Sequence, residues 1–310
     1  MNNSGGQLKV LIIGSDSFIG SNLERIFGQN PSLDVLGIEL KGKHSLELDF
    51  LRLDDALIQK AISSFLPDVA INASGSANVQ KSFYETGRDR ELNELNVARI
   101  INVLSMTIPT CRLINFSSAA VYGSPTKWPI NEQDAENQTP LSPYGKHKYS
   151  SEVLLESASA ANQLCTVSLR VFSCYGVGQR KLLLWDIYQK LSSSGGKRLE
   201  LFGTGTETRD YIHIDDLVAA TLCVIKNHKF DGSAINIASG RETSIAELAR
   251  LSVGIISPKA EIVFNGQSRE GDPKRWLADI SKLNALGFTP LHRLENGIEE
   301  YYSSLSNSAL

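Results

Sequence analysis

Apolar runs alternate with helix-forming stretches through the first half of this 310-residue chain. The runs LKVLIIG, DVLGIEL, SLELDF, PDVAINAS, CRLINFSS and CTVSLRVFS each have the length and composition of a buried strand. Helical patterns separate most of them, at 21–27, 52–65, 87–106 and 144–161. Such alternation is typical of a parallel sheet with helices packed on both faces. The chain is therefore predicted to form a doubly wound α/β sheet.

The second half of the chain is less regular. Loop-forming residues occur at 192–197 and a Gly/Thr-rich turn at 203–210. The stretch YIHIDDLVAATLCVI that follows is predicted to be a strand passing into a helix that returns to the sheet domain. The chain is predicted to divide into two units. The sheet domain comprises residues 8–175 with 209–238. A smaller C-terminal α/β lobe, able to close over a ligand, comprises residues 176–208 with 239–310.

Composition and charge restrict the partners of this chain. Hydrophobic residues make up 42% and charged residues 21%, as in an ordinary globular protein. The net charge of -3 gives no support for a nucleic-acid partner, and no apolar run reaches the roughly 18 residues of a membrane helix. The start MNNSGGQ lacks a signal-peptide core. The four cysteines form no metal-binding spacing, so we expect a cytoplasmic protein with reduced thiols and no metal.

The stretch GSDSFIG directly follows the first strand and opens a helix, as a dinucleotide-binding turn does. Gly14 suits the tight turn, and Gly20 suits the close packing of helix against strand. The helix N-terminus would then face a pyrophosphate. Ser17 stands where a glycine is usual, and its hydroxyl can donate to a phosphate. A simple turn with two glycines is the alternative. The first interpretation predicts a sheet of the Rossmann type that binds a dinucleotide.

Acidic residues at the ends of the next strands favour NAD over NADP. Glu39 follows Gly20 by nineteen residues, where a carboxylate can bind the ribose hydroxyls of NAD and repel the extra phosphate of NADP. The basic group Lys41, Lys43 and His44 can attract that phosphate instead, so NADP stays open. Asp49 ends the third predicted strand and can reach the adenine. Both acids also fit as ordinary strand-end carboxylates.

The stretch SPYGKHK places Tyr144 four residues before Lys148, on one face of a predicted helix. An ammonium near a phenol favours the phenolate and lowers a pKa that starts at about 10. The pair can therefore make a general base near neutral pH. The pattern also fits the start of a surface helix with an ordinary tyrosine and a solvated lysine.

Four motifs together resemble the extended short-chain dehydrogenase/reductase family, in its NAD-dependent epimerase/dehydratase branch typified by UDP-galactose 4-epimerase. They are FSSAAVYG, SPYGKHK, LRVFSCYGVGQ and TRDYIHIDD, and the resemblance extends from about residue 8 to 302. The resemblance implies an enzyme that acts on a nucleotide-activated sugar. It also implies a homodimer through the helices predicted at 87–106 and 144–161.

The resemblance assigns roles to the catalytic and cofactor residues. Tyr144 would be the acid/base, Ser118 would hydrogen-bond the sugar oxygen, and Lys148 would bind the nicotinamide ribose and lower the pKa of Tyr144. Cofactor contacts would come, besides Tyr144 and Lys148, from Gly14, Ser17, Phe18, Ile19, Gly20, Glu39, Asp49, Phe50, Ala73, Ser74, Gly75 and Asn96.

The substrate residues are implied in the same way. Arg209, Arg269 and Asp272 match positions that hold a nucleotide diphosphate and its ribose, and Arg suits a diphosphate because it binds in a bidentate manner. Phe202 matches a position beside the base. Ser173 stands where many members have an asparagine that contacts the substrate phosphates. A surface salt bridge for either arginine, and a lobe-core position for Phe202, are the alternatives.

The residues after Ser118 narrow the reaction. Family dehydratases carry an acidic pair there, and decarboxylases a glutamate, whereas this chain has Ala119 and Ala120, which cannot transfer protons. FSSAAVYG also lacks the cysteine of 3,5-epimerases. A nucleotide-sugar 4-epimerase with bound NAD is favoured slightly over an NAD(P)H-dependent 4-ketoreductase of a nucleotide-activated 4-keto-deoxysugar. A non-catalytic dinucleotide-binding regulator is the third class, but such proteins usually lack the Tyr or the Lys.

Overall fold

The computed structural model describes residues 6–38 and 55–307. The strand predicted from SLELDF lies outside the described residues, and so do the candidate cofactor residues Glu39, Asp49 and Phe50.

The first half of the chain alternates strands and helices, as predicted. Its elements are β1 Leu8–Ile13, α1 Phe18–Phe27, β2 Leu33–Ile38, α2 Asp55–Phe65, β3 Val69–Asn72, α3 Val79–Tyr84, α4 Thr86–Arg90, a π-helical turn Glu91–Leu95, α5 Asn96–Thr107, β4 Arg112–Ser118, a 3₁₀ turn Ala119–Tyr122, a second 3₁₀ turn Glu132–Asn137, α6 Pro143–Ala160 and β5 Cys165–Val171.

The second half contains shorter strands between its helices. Its elements are β6 Ser173–Tyr175, α7 Leu182–Ser193, β7 Arg198–Leu201, β8 Thr208–His213, α8 Ile214–Asn227, β9 Asp231–Ile237, β10 Glu242–Ser244, α9 Ile245–Ile256, β11 Glu261–Phe264, α10 Ser281–Ala285 and α11 Leu294–Asn307.

Six parallel strands form the main sheet, in the order β2-β1-β3-β4-β5-β9. Alternate residues of β1 enter different cores: Val10 and Ile12 pack in one cluster with residues of α1 and α8, whereas Leu11 and Ile13 pack in another with residues of α2 and α5. The sheet is therefore covered on both faces, and the predicted doubly wound α/β architecture is confirmed. The strand order reverses between β1 and β3, where ligands of such sheets bind.

The remaining strands form two small sheets, β10-β8-β6 and β11-β7. A separate core from α7, α9 and α11 packs against them, with Ile187, Leu248 and Tyr301 fully buried. The strand β8 pairs with β6 and β10 and not with the main sheet, whereas α8 and β9 pack with that sheet. The division into a cofactor domain and a substrate lobe remains a prediction.

The helix predicted at 87–106 is interrupted. The π-helical turn separates α4 from α5, and the side chain of Asn93 within it bonds one residue of α4 and one in the loop after β3. Its Nδ2 donates to the Asp89 carboxylate at 3.0 Å, and its Oδ1 accepts from the Ser76 N–H at 3.2 Å. Periodicity alone does not reveal such a turn, because the apolar residues keep nearly the same spacing. Across the described ranges, every helix is too short or too polar to cross a bilayer.

Candidate active site

The turn between β1 and α1 has the close packing that its glycines predicted. A Cβ atom on Gly20 would lie 2.1 Å from the Gly14 carbonyl oxygen, so only glycine fits there. Ser17 caps α1, because its Oγ accepts a hydrogen bond from Gly20 N–H at 3.0 Å. The same hydroxyl donates to the Ala73 carbonyl at 3.0 Å and so ties the turn to the segment that directly follows β3. Phe18 and Ile19 open the helix and pack against the core.

The loop after β3 faces this turn across the reversal in strand order. A Cβ on Gly14 would lie 2.9 Å from the Ser74 nitrogen, so the two segments touch. Ser74 is fixed by the Asn72 amide oxygen, which accepts from its backbone N–H at 3.1 Å. The first-turn N–H groups of α1 lack intrahelical partners. The close glycine turn, the helix N-terminus and the adjoining loop thus fit a dinucleotide pyrophosphate.

Ser118, Tyr144 and Lys148 converge at the carboxyl end of β4. The Ser118 hydroxyl hydrogen-bonds the Tyr144 phenol. Lys148 donates from Nζ to the Phe116 carbonyl at 2.8 Å, and its Nζ lies 3.5 Å from where a Cβ on Gly75 would be. Tyr144 and Lys148, which both lie on α6, are buried, with exposed fractions of 6% and 5% respectively. The structure therefore brings the three predicted catalytic residues together beside the predicted cofactor loop.

A glycine allows this convergence. Gly145 lies in the first turn of α6, where a Cβ would be 2.6 Å from the Ala120 carbonyl oxygen. The helix can therefore approach the 3₁₀ turn that follows Ser118 closely. Ser142 caps the helix by accepting from the Gly145 N–H at 3.1 Å. The cap and the close approach together fix where Tyr144 projects.

Burial dominates the charge states of the candidate catalytic pair. Burial raises the pKa of Tyr144 to about 12. The hydrogen bond from Ser118 lowers this pKa, and the negative charge of Asp89 raises it. Burial lowers the pKa of Lys148 to about 8, although the carboxylates of Asp89 and Glu152 raise it. The predicted lowering of the Tyr144 pKa is therefore not produced by the groups of the chain itself, because desolvation of the phenolate outweighs them.

The candidate diphosphate residues gather in the second half of the chain. Arg209 donates from Nη1 to the carbonyls of Thr208 and Pro273, both at 2.8 Å, and its guanidinium lies over the Trp276 ring at 5.4 Å. Arg269 and Asp272 belong to one turn, closed by a 3.2 Å backbone hydrogen bond. Burial raises the pKa of Asp272, and the charges of both arginines lower it. The two guanidiniums therefore act on one carboxylate.

Phe202 and Ser173 lie on the elements that border these arginines. The Phe202 ring is 41% exposed and carries the Arg269 guanidinium 4.2 Å above its centroid, so it is not a core aromatic. Ser173 begins β6 opposite Tyr211 of β8, the strand that carries Arg209. Asn96 is buried at the start of α5, where its Oδ1 accepts from Arg99 at 2.6 Å.

The sequence did not predict a buried polar cluster that joins the catalytic helix to α4 and to the π-helical turn. His147 Nδ1 and Asp89 Oδ2 lie 2.7 Å apart, and Asn93 bonds the other oxygen of that carboxylate. His147 directly precedes Lys148, but Asp89 is 58 residues away in the sequence. Only the adjacency of His147 to the Tyr–Lys pair was a usable sequence signal.

A second titratable cluster lies at the start of α8. Donor atoms of His213, Asp215 and His292 lie within 4.8 Å of one another. The two imidazole rings stack at 4.3 Å, and His213 Nδ1 accepts from the Asp215 N–H while His292 Nδ1 bonds Asp216. These bonds occupy one nitrogen of each imidazole, and the buried Nε2 of His213 has no hydrogen-bond partner among the described residues. The two histidines are 79 positions apart, so the sequence shows no metal-binding spacing.

Sequence relatives of known name align with nearly the whole chain. A putative UDP-glucose 4-epimerase of Methanocaldococcus jannaschii is 26% identical over 96% of this chain and 99% of its own length. A UDP-glucose 4-epimerase of Mycolicibacterium smegmatis is 25% identical over 97% of this chain and 100% of its own.

Solved structures have the same fold. A UDP-glucose 4-epimerase of Thermotoga maritima superposes with a TM-score of 0.86, at 24% identity, over 98% of this chain and 100% of that one. A UDP-glucuronic acid 4-epimerase of Bacillus cereus, solved with UDP-glucuronic acid and NAD, superposes with a TM-score of 0.82 at 26% identity. The match covers 97% of this chain and 100% of that one.

A family model matches residues 10–238, the region that includes the glycine turn and the Ser118, Tyr144 and Lys148 group. Its description, NAD dependent epimerase/dehydratase family, agrees with the predicted resemblance, with an enzymatic role and with NAD as the cofactor. The chain belongs to the NAD dependent epimerase/dehydratase family.

Proposed function

We propose that the protein is a nucleotide-sugar 4-epimerase, with Tyr144 as the acid/base at the C4 hydroxyl of the sugar. The observation that carries this proposal is the convergence of Ser118, Tyr144 and Lys148 next to the turn and loop that fit a dinucleotide. Relatives named as UDP-glucose 4-epimerases over nearly their full length support it.

The proton in this reaction belongs to Tyr144. Its phenolic oxygen would take the proton from the C4 hydroxyl and return it after the sugar has turned over. Ser118, already hydrogen-bonded to that phenol, would hold the same sugar oxygen at donor distance. NAD, when bound, supplies reversible uptake of hydride from C4. Burial of the site excludes water, so a proton removed by Tyr144 stays available for return.

Tyr144 needs help to serve as a base, since burial holds its pKa at about 12. The Ser118 hydroxyl favours the phenolate by donating to it. Lys148 would add to this effect when its ammonium turns toward the nicotinamide ribose and the phenol, away from the Phe116 carbonyl that it contacts. We assign Lys148 both roles, ribose binding and stabilisation of the Tyr144 phenolate.

Binding of the nucleotide part falls to the other cluster. We propose that Arg209 and Arg269 bind the diphosphate, with Asp272 and Ser173 bonding the ribose and phosphates and Phe202 packing beside the base. The joint action of the two guanidiniums on Asp272 supports a site with converging positive charge. A dianionic diphosphate would be a better partner for two guanidiniums than one carboxylate.

The alanines after Ser118 support epimerisation over elimination. Ala119 is fully buried in the 3₁₀ turn, and Ala120 offers no group that transfers a proton. The proposed chemistry therefore stops at removal and return of hydrogen at C4.

The quaternary state and the compartment are further parts of the proposal. Met106 on α5 and Val153 and Leu154 on α6 are exposed by 79%, 45% and 36%. Apolar exposure on these two helices supports a homodimer that pairs them, and a monomeric mass by light scattering would contradict it. The four cysteines are all unpaired, which supports a reducing compartment such as the cytoplasm.

The test has two steps. The purified protein is denatured and any released dinucleotide is identified, and fresh protein is then offered UDP-, dTDP- and GDP-hexoses without added cofactor. Isomerisation at C4 under these conditions is the expected result. Turnover that requires added NADH or NADPH and a 4-keto sugar would replace the epimerase by the reductase. An unaltered natural role in Tyr144→Phe would favour a binding protein.

A further inference from the structure

A buried polar chain connects the catalytic helix to the loop after β3. His147 of α6 bonds the Asp89 carboxylate, Asp89 accepts from Asn93, and Asn93 accepts from the Ser76 N–H. Asp89 and Asn93 are exposed by only 4% and 1%, so the bond between them is shielded from water. This series of hydrogen bonds begins at His147, one residue before Lys148, and ends at Ser76, one residue after Gly75.

The pair at its centre has fixed donor and acceptor roles. A carboxylate only accepts hydrogen bonds, so the hydrogen between the two side chains sits on His147 Nδ1. The Asp89 carboxylate thus receives two donors, at 2.7 Å from His147 and at 3.0 Å from Asn93. A buried carboxylate is costly without such donors. His147 therefore governs how strongly the Asp89 charge acts on its surroundings.

We propose that Asp89 and His147 are positioning residues for catalysis: the pair fixes the helix of Tyr144 and Lys148 against the loop at Gly75 and limits the negative charge that these two residues meet. The proposal rests on the proposed epimerase function. It assigns neither residue a contact with substrate.

The Asp89 charge acts on both catalytic groups in the same direction. It raises the pKa of Tyr144 and the pKa of Lys148, because a nearby negative charge favours the protonated form of each. It therefore helps to keep Lys148 cationic despite burial, but it opposes the Tyr144 phenolate. The hydrogen bond from His147 disperses the negative charge of Asp89. The pair thereby balances a cationic Lys148 against an accessible Tyr144 phenolate.

Few other charged groups disturb this balance. Lys148 also meets the Glu152 carboxylate from its own helix, and Arg170 of β5 neutralises Glu152 through a 2.7 Å ion pair. The described charges on other elements packed against α6 have partners of their own: Lys81 and Arg88 with Glu85, Arg90 with Glu94, Arg99 with Glu91, Arg112 with the Ile225 carbonyl, and Asp231 with His228. Asp89 is thus the charge that variants can change selectively.

The proposal predicts opposite shifts from two substitutions. Asp89→Asn removes the charge, so both pKa values fall and the pH–rate profile of kcat/KM moves to lower pH by about one unit. His147→Ala leaves the carboxylate with one donor fewer, so the profile moves to higher pH. The double variant has no charge to expose and should follow Asp89→Asn. His147→Asn keeps a donor for Asp89 and should keep the wild-type profile.

The experiment measures kcat, KM and their pH dependence for these four variants, with circular dichroism as a check of folding. Lys146→Ala is the matched control, because it is an exposed change of charge on the same helix, next to His147. It should keep the wild-type profile. KM for the nucleotide sugar should change less than threefold in every variant, since the candidate diphosphate residues lie on other elements.

Binding of NADH, followed by its fluorescence, supplies a readout that needs no turnover. Lys148 is assigned to the nicotinamide ribose, so NADH affinity should fall as pH rises past its pKa, and at a lower pH in Asp89→Asn. Shifts in the same direction from Asp89→Asn and His147→Ala, or no shift in either assay, would overturn the proposal. A wild type without epimerase activity would refute the proposed function alone, while the binding series still decides the role of the pair.

Discussion

The two candidate sites of this protein are built in different ways. At the catalytic site, Tyr144 and Lys148 are almost completely buried and are held by bonds to a strand end and by close glycine packing. At the diphosphate site, Arg269 rests on the half-exposed ring of Phe202 and meets Asp186 only at 4.0 Å. The first arrangement fixes atoms, whereas the second leaves long side chains near water.

This difference separates two kinds of chemistry. Burial moves the pKa of Tyr144 to about 12 and that of Lys148 to about 8, so the catalytic site gains its properties from desolvation. The diphosphate site relies on charge near solvent, where each interaction is weaker and screened by salt. Substitutions in the first site should therefore change rate or folding strongly, and those in the second should change KM moderately.

Removal of the Tyr144 hydroxyl should have the largest effect. We expect Tyr144→Phe to lower kcat by about 10³-fold, because general acid–base catalysis contributes on that order. NADH binding and KM should change little. Steady-state kinetics and NADH fluorescence measure the three quantities. Tyr149→Phe, on the same helix and half-buried, is the control that should keep wild-type kcat. A loss of less than tenfold in Tyr144→Phe would exclude it as the acid/base.

Close packing at the glycine turn should be nearly as sensitive. A Cβ on Gly20 would meet the Gly14 carbonyl at 2.1 Å, so Gly20→Ala forces the helix away from β1 and should lower the free energy of unfolding by about 3 kcal/mol. NADH affinity should fall with it. Gly254→Ala is the matched control, since a Cβ there, in the last turn of α9, meets nothing within 4 Å. That change should raise stability by about 0.5 kcal/mol in urea unfolding.

The contrast also separates what could be predicted from the sequence. The strands and the glycine turn follow from local patterns. The grouping of Ser118 with Tyr144 and Lys148 is implied by the family resemblance of the motifs. The π-helical turn and the Asp89–His147 pair could not be predicted. The pair joins residues 58 positions apart, and Asn93 of the turn bonds Ser76, which is 17 positions away. Such side-chain bonds leave the apolar periodicity unchanged.

The Lys148 charge should cost stability as it supports catalysis. The fall of its pKa from 10.5 to about 8 corresponds to roughly 3 kcal/mol, and the lost bond to the Phe116 carbonyl would offset about 1. We therefore expect Lys148→Met to be about 2 kcal/mol more stable than the wild type at pH 7. Between pH 8 and 10.5 the unfolded wild type binds more protons than the folded one, so wild-type stability gains relative to the variant. Urea unfolding at pH 7 and 9.5 should show the difference shrinking, and an equal difference at both would show that Lys148 carries no buried charge.

The diphosphate site should give the smallest of these effects, and it tests whether the second site binds substrate at all. Arg209 is held by two carbonyls and the Trp276 ring, so Arg209→Lys keeps the charge but loses the planar, bidentate geometry that suits phosphate oxygens. We expect KM for the nucleotide sugar to rise about tenfold, which corresponds to about 1.4 kcal/mol, with kcat within twofold of the wild type. Arg275→Lys is the matched control, because Arg275 also lies over a tryptophan but pairs with Glu242 at the surface. Equal KM values in the two variants would remove Arg209 from the substrate site, and a kcat loss in Arg209→Lys as large as that of Tyr144→Phe would show that the two sites are not separate in function.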